Sequence, residues 1–329
     1  VELAGADTYK RVFFTNGGAE SNENAIKMAR MVTGRTKVFS CYRSYHGATL
    51  GASNASGDWR RFAAEIGGAN GFVKFMNPQM YRDGYTYGVD DEVVTKKALA
   101  DLDLQLRYEG PQNVAAILME SIVGANGVIL PPKGYMEGVR KLCDEKGILL
   151  ILDEIQCGMG RTGSFFAWQS FGVEPDALSM AKALGNGYPI GAMVAKRKYS
   201  QVLTPGTHAS TFGGTALASA AACAVIDAID NEKVLDNVVK QSKVLMDGIA
   251  ELSKKYPCIQ GVRGKGLMVG AVLDQPAGKV LSILRGKGMI ALSAGENVLR
   301  LVPPLNVSGD ECRKALELID SAFAELCSK

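Results

Sequence analysis

The chain has 329 residues, 47% of them hydrophobic and 22% charged, with a formal net charge of +3. That length buries a sizeable core and accommodates a large domain with a smaller companion. The weak charge argues against nucleic acid or an anionic membrane as a partner, and no apolar run approaches bilayer length.

No charged-then-apolar signal peptide opens the chain. Residue 1 is not Met, so the chain is expected to begin inside a longer protein. Residues 12–15 form a strand candidate, followed by a glycine turn and a helix with Ala25, Met28, Ala29 and Val32 on one face. Strand candidates at 38–40 and 115–120 come next; the second ends on Glu120. Residues 134–146 predict a helix with Met136, Val139, Leu142 and Cys143 inward. Residues 148–152 are continuously apolar, as in a strand covered on both faces, and Asp153 ends the run. Strand candidates at 177–181 and 191–195 follow. This rhythm predicts an α/β fold with a mainly parallel central sheet between helices. Ligands of such sheets gather outside the C-terminal strand ends.

Beyond about residue 230 the pattern changes to a long helix (234–255), a glycine-broken strand (262–273), a helix (279–287), a strand (298–302) and a last helix (309–326). We therefore expect a large domain over 1–235 and a smaller C-terminal α/β domain over 236–329. Seven cysteines, none at C-x-x-C spacing, point to buried thiols in a reducing, cytoplasmic compartment. With only His46 and His208, a His/Cys metal site is not expected.

Three stretches carry candidate chemistry. Residues 16–21, NGGAES, join a strand to a helix N-terminus, where bare amides and the helix dipole favour a phosphate. A helix entry that needs glycine for its backbone angles is the plainer explanation of that turn. Asp153 puts a carboxylate where a buried strand meets the ligand edge, and an ionised Asp there needs a cation or several donors. A helix cap or local salt bridge accounts for it equally well. Lys182 ends another strand among apolar neighbours that would lower its pKa and make it a better nucleophile. Alone, such a lysine is usually a solvated charge. A phosphate cradle, a buried carboxylate and a desolvated lysine at one sheet edge are what a cofactor with a phosphate, a pyridine nitrogen and an aldehyde needs.

In these stretches the chain resembles the class III aminotransferases, fold type I enzymes dependent on pyridoxal 5'-phosphate (PLP). The resemblance rests on residues 16–24 (NGGAESNEN), 44–49 (SYHGAT), 152–163 (LDEIQCGMGRTG), 181–192 (AKALGNGYPIGA), 210–214 (STFGG) and 299–305 (LRLVPPL), in family order. It implies that Lys182 forms the Schiff base and shuttles a proton, and that Asp153 pairs with the pyridine N–H. It implies further that Gln156 bonds the ring's phenolic oxygen, Tyr45 and Ile155 cover the two ring faces, and the amides of Gly18 and Ala19 hold the phosphate. Thr211 would serve the phosphate of a partner subunit, which implies a homodimer. Arg300 would bind a substrate carboxylate. The substrates implied are an amino donor and a keto acid. Family members also carry an N-terminal segment of the small domain, which is expected to be absent from this chain.

The departures from the family pattern concern substrate. Ala48 stands where relatives that use 2-oxoglutarate carry an arginine for glutamate's distal carboxylate. Ala125 replaces the glutamate that screens the carboxylate-binding arginine. Both losses point to an acceptor with one carboxylate, such as pyruvate. SYHGAT and SGDWRR (56–61) resemble the ω-amino acid:pyruvate branch, whereas DEIQ, STFGG and LRLVPPL resemble the acetylornithine, ornithine and GABA branch that uses 2-oxoglutarate. Ser121 replaces a usual proline, and Thr215-Ala216 a usual Asn-Pro. A racemase or aminomutase on the same scaffold is the rival reading. A catalytically dead binding protein is the rival from another class.

Overall fold

The computed structural model describes residues 2–65, 68–82 and 90–327. Two compact units emerge. The first comprises Val1–Ser121, Pro131–Met159 and Trp168–Ile226; the second comprises Ile122–Leu130, Gly160–Ala167 and Asp227–Lys329. The second unit thus takes in two early segments that no single cut along the chain separates.

The first unit is built on seven strands: β1 (Tyr9–Thr15), β2 (Lys37–Cys41), β3 (Phe72–Phe75), β4 (Val114–Glu120), β5 (Leu149–Asp153), β6 (Ala177–Met180) and β7 (Gly191–Lys196). Their order in the sheet is β1-β7-β6-β5-β4-β2-β3. Pairing is parallel from β3 to β6, and β7 runs antiparallel to both of its neighbours. The α/β class and mainly parallel sheet are as the sequence predicts. Every residue of β4, β5 and β6 is buried, which is why 148–152 carries no polar face.

Register sets the functional edge. Glu120 lies opposite Asp153, and Asp153 lies opposite Ser179. Because β1 and β6 flank the reversed β7, Thr15 and Met180 end at that same edge. The helix Gly18–Thr33 starts from it, buries Ala25, Met28 and Ala29, and stops at Gly34, whose left-handed φ of 67° lets its N–H reach Arg30 O.

The elements outside the sequence prediction include one strand and two long helices. The strand Phe72–Phe75 is short and only half covered. The helix Asp91–Glu109 buries a single narrow stripe, Val94, Ala98, Leu102 and Leu106, among charges. The helix Ala216–Asn231 is so rich in alanine that it has little polar contrast.

In the second unit, β8 (Ile259–Lys265) and β9 (Met268–Leu273) form a hairpin where one broken strand is predicted. The turn glycine, Gly266, has φ 56°, and a Cβ there would lie 2.5 Å from Arg161 O. With β10 (Leu292–Ser293) and β11 (Val298–Leu301) they make an antiparallel sheet of order β10-β11-β9-β8. The helices Val234–Lys255, Gly278–Gly286 and Gly309–Cys327 belong to the same unit. Leu245, Ile249, Val269, Leu299, Ile319 and Phe323 are among its buried residues. No helix among the described residues is long and apolar enough to cross a membrane.

Candidate active site

The first turn of the helix Gly18–Thr33 ties the edge together. Its N-cap, Gly17, is extended, and no side chain caps the helix. The first-turn amides therefore lack intrahelical acceptors and remain available for an anion. Ser21 Oγ lies 2.8 Å from Thr15 Oγ1 and donates to Met180 O at 3.2 Å, linking the turn to the ends of β1 and β6. One residue on, Asn22 Nδ2 donates to Asp153 Oδ2 at 2.8 Å and to His46 O at 2.7 Å. Asn22 Oδ1 accepts from Ser179 Oγ at 2.6 Å.

Asp153 is 3% exposed. Besides Asn22, its Oδ2 meets His46 Nδ1 at 2.8 Å, and its Oδ1 accepts from Ile155 N at 3.0 Å. The donor set suits a carboxylate, since such a group inside a fold persists only with several donors. A His46 Nδ1–H that donates to Asp153 leaves Nε2 as an acceptor, and this buried atom has no partner among the described residues.

Gly18 sits against Ile155. A Cβ at residue 18 would lie 2.7 Å from Ile155 Cδ1, so a glycine is required for helix start and side chain to approach this closely. Ala19, Ile155 and Gln156 are each half-buried at this edge. Tyr45 is also half-buried, and its N–H donates to Glu120 Oε1 at 3.0 Å. One face of the Tyr45 ring carries the guanidinium of Arg60, 3.9 Å from the centroid. Arg60 Nε in turn donates to the buried Asp58 at 2.8 Å.

Lys182 lies two residues past the end of β6, with φ 45°. That left-handed value is uncommon outside glycine and is a form of strain often found at functional sites. The side chain is exposed, whereas Ala181 and Leu184 on either side are buried. This corrects the desolvation inferred from sequence: the apolar neighbours turn into the fold and leave the lysine outside it.

The structure thus brings Gly18, Ala19, Asp153, Ile155 and the Ser179–Lys182 segment to one edge. Thr211 lies on an exposed loop of the same unit, next to Phe212, which is 69% exposed. Arg300 belongs to the second unit, on β11. Its Nη1 donates to Gly124 O at 3.1 Å, and it lines a cavity of about 360 Å³ with Leu245, Met289, Pro303 and Cys312. Asn22, His46 and Ser179 were not singled out from sequence. The signals were there: Asn22 is the fifth residue of the helix, on its sheet-facing side, and His46 is adjacent to Tyr45.

A family model described as aminotransferase class-III matches residues 1–323. The chain belongs to the class-III aminotransferases. This aminotransferase is 38% identical over 324 residues to the acetylornithine aminotransferase of Caldanaerobacter subterraneus subsp. tengcongensis, covering 96% of this chain and 76% of that one. It is 36% identical to the acetylornithine aminotransferase of Bacillus subtilis, over 98% of this chain and 78% of the other. Among solved structures, a taurine:2-oxoglutarate aminotransferase from Bifidobacterium kashiwanohense, in complex with PLP and glutamate, is 47% identical. It superposes with a TM-score of 0.94, over 99% of this chain and 77% of that one.

The aminotransferase is accordingly PLP-dependent, and its residues fit that cofactor. The buried Asp153 with its donor network, the open glycine turn against Ile155 and the amine of Lys182 offer partners for a ring, a phosphate and an aldehyde.

Proposed function

We propose that this aminotransferase acts through Lys182, takes an ω-amino acid as amino donor and uses 2-oxoglutarate as acceptor. The observation that carries the assignment of Lys182 is the single network running from the glycine turn through Ser21 and Asn22 to Asp153 and the end of β6.

When bound, PLP supplies an aldehyde that condenses with amines and a ring that withdraws electrons from the bond to be broken. Lys182 Nζ, exposed and just past the strand end, would take the proton from the substrate carbon that carries the amino group. Asp153 holds a proton on the ring nitrogen, and His46 and Asn22 hold Asp153. The amides of Gly18 and Ala19 bind the phosphate, and Gln156 bonds the phenolic oxygen. Tyr45 and Ile155 would cover the ring faces; Arg60 already occupies one side of Tyr45, which leaves the other side for the cofactor. Arg300 grips a substrate carboxylate, bidentate and always charged. Thr211 serves the phosphate of a second subunit in a homodimer, a role that its exposed loop and the exposed Phe212 support. Seven free thiols support a reducing, cytoplasmic setting.

The choice of donor and acceptor is supported by the 47% identity to the taurine:2-oxoglutarate aminotransferase. Pyruvate is the second reading, favoured by Ala48 and Ala125 in place of the residues that handle glutamate.

Two measurements test the proposal. The visible absorption of covalently held cofactor should vanish in Lys182→Ala; a reducible link that persists there would refute the assignment. Purified enzyme offered taurine, β-alanine, GABA or N-acetylornithine with each keto acid should prefer 2-oxoglutarate. Preference for pyruvate would transfer the acceptor to the second reading. Retention of PLP, with solvent deuterium entering the α-carbon and no keto product, would indicate a racemase instead.

A further inference from the structure

The Sγ atoms of Cys258 and Cys327 lie 3.8 Å apart, although 69 positions separate the residues in sequence. We propose that they form a reversible dithiol–disulfide site in the second unit, oxidised by hydrogen peroxide.

The surrounding contacts hold the two sulfurs in register. Tyr256 Oη donates to Asp320 Oδ1 at 2.6 Å, and Lys255 Nζ reaches the same oxygen at 2.7 Å. The Tyr256 ring stacks on Phe323 with centroids 5.8 Å apart. Asp320, Phe323 and Cys327 recur at helical spacing, so they share one side of the helix Gly309–Cys327. That side is thereby clamped onto the segment that leads into β8. Pro257 restricts the backbone just before Cys258. Cys258 O accepts from Asp274 N at 3.1 Å, and Ile259 N donates to Tyr256 O at 2.9 Å, so the backbone around the first thiol is held as well. A disulfide needs its sulfurs about 2.0 Å apart, and side-chain rotation can supply the remaining approach.

The two thiols differ in access. Cys258 is buried and Cys327 exposed. Burial, with the neighbouring Cys327 as the next cause, pushes the Cys258 thiol up to about 11. Cys327 is therefore the first nucleophile. Its thiolate attacks the peroxide, the O–O bond breaks, and Cys327 becomes a sulfenic acid while the first water leaves. The Cys258 sulfur then attacks Cys327, the S–S bond forms, the S–O bond breaks, and a second water leaves. Two thiols lose two electrons and two protons, and the peroxide is reduced to two waters. The product links the last described helix covalently to the strand entry it packs on.

The test treats the purified holoenzyme with equimolar hydrogen peroxide and maps its peptides without reduction. One intramolecular crosslink between the Cys258 and Cys327 peptides is expected, reversed by dithiothreitol. In Cys258→Ser, Cys327 should instead be trapped by a sulfenic-acid reagent. A crosslink through other cysteines, a Cys327 crosslink between two chains, or thiols at both positions after treatment would each overturn the proposal.

Discussion

His46 Nδ1 lies 2.8 Å from Asp153 Oδ2, with both side chains almost wholly withdrawn from solvent. The same oxygen takes a second donor from Asn22. Removing the ring by His46→Ala strips one of two side-chain donors from a buried carboxylate, which costs about 1–3 kcal/mol. We expect a lower unfolding midpoint together with weaker cofactor binding. His46→Asn, whose amide can still donate, should lose less of both. Because the donors share an acceptor, the effects of His46→Ala and Asn22→Ala should not add. Thermal unfolding and cofactor titration of these three variants and of the His46→Ala, Asn22→Ala double variant check this; strict additivity would refute the shared network.

Gly18→Ala tests the glycine turn. The added methyl would meet Ile155 Cδ1 at 2.7 Å, closer than any real contact, so Ile155 or the helix start must move. Overpacking of this kind typically costs about 1–3 kcal/mol. The expected result is cofactor affinity weakened by about tenfold, at roughly 1.4 kcal/mol per decade. Ile155→Ala in the same chain frees the space and should restore part of the loss. Equal affinity in Gly18→Ala would show that the helix start can shift without consequence for the cofactor.

Ser121 stands where relatives carry proline, and here its hydroxyl donates to the buried Glu154 carboxylate. Trp168 N donates to the same oxygen at 3.0 Å. Ser121→Ala removes a charge-assisted hydrogen bond, for an expected destabilisation of about 1.5–3 kcal/mol. Chemical denaturation measures it, and a change within error would mean the hydroxyl contributes nothing there.

His208 is predicted to make stability depend on pH. Burial, then the charge of Lys27, holds its pKa below the ordinary imidazole value. Lys27 Nζ lies 3.0 Å from His208 Nδ1, and the ring packs on Phe13 with centroids 4.2 Å apart, so the neutral ring is the one accommodated. As pH falls below about 6.5, the unfolded chain takes up a proton that the folded chain resists. Stability is therefore full above that value and declines as pH falls through the lower folded pKa. In Lys27→Met the folded pKa should rise towards the unfolded value, so the decline should shrink and level off at a higher pH. Unfolding midpoints measured from about pH 7 to about pH 5 would reveal it; an unchanged slope would remove His208 from the account.

Sequence made the sheet edge legible because its strands are buried on both faces and stop abruptly at polar residues. Asp153 ends an all-apolar run, and a glycine turn precedes a well-patterned helix. What sequence could not supply was the partner list of Asp153. Asn22 and His46 meet it across 131 and 107 positions, and no local pattern encodes such a meeting. The exposure of Lys182 was misjudged for a related reason. Apolar neighbours desolvate a side chain only if they pack around it, and Lys182 is exposed while Ala181 and Leu184 are buried. The hairpin of β8 and β9 is hard to read because its turn is only Gly266 and Leu267, between Lys265 and Met268, with no longer loop to separate the strands.

The reversed strand β7 acts as a spacer. Strands pair at about 4.8 Å, so β7 holds the ends of β1 and β6 roughly two such steps apart, about 9.6 Å. Backbone hydrogen bonds set this gauge, and side chains do not. Gly191, where β7 begins, has no room for a Cβ beside Thr15, Ser21 and Gly17, so the spacer's own first residue keeps the gap clear. The distance between the glycine turn and the end of β6 is thereby set by the sheet, independently of side-chain substitutions around it.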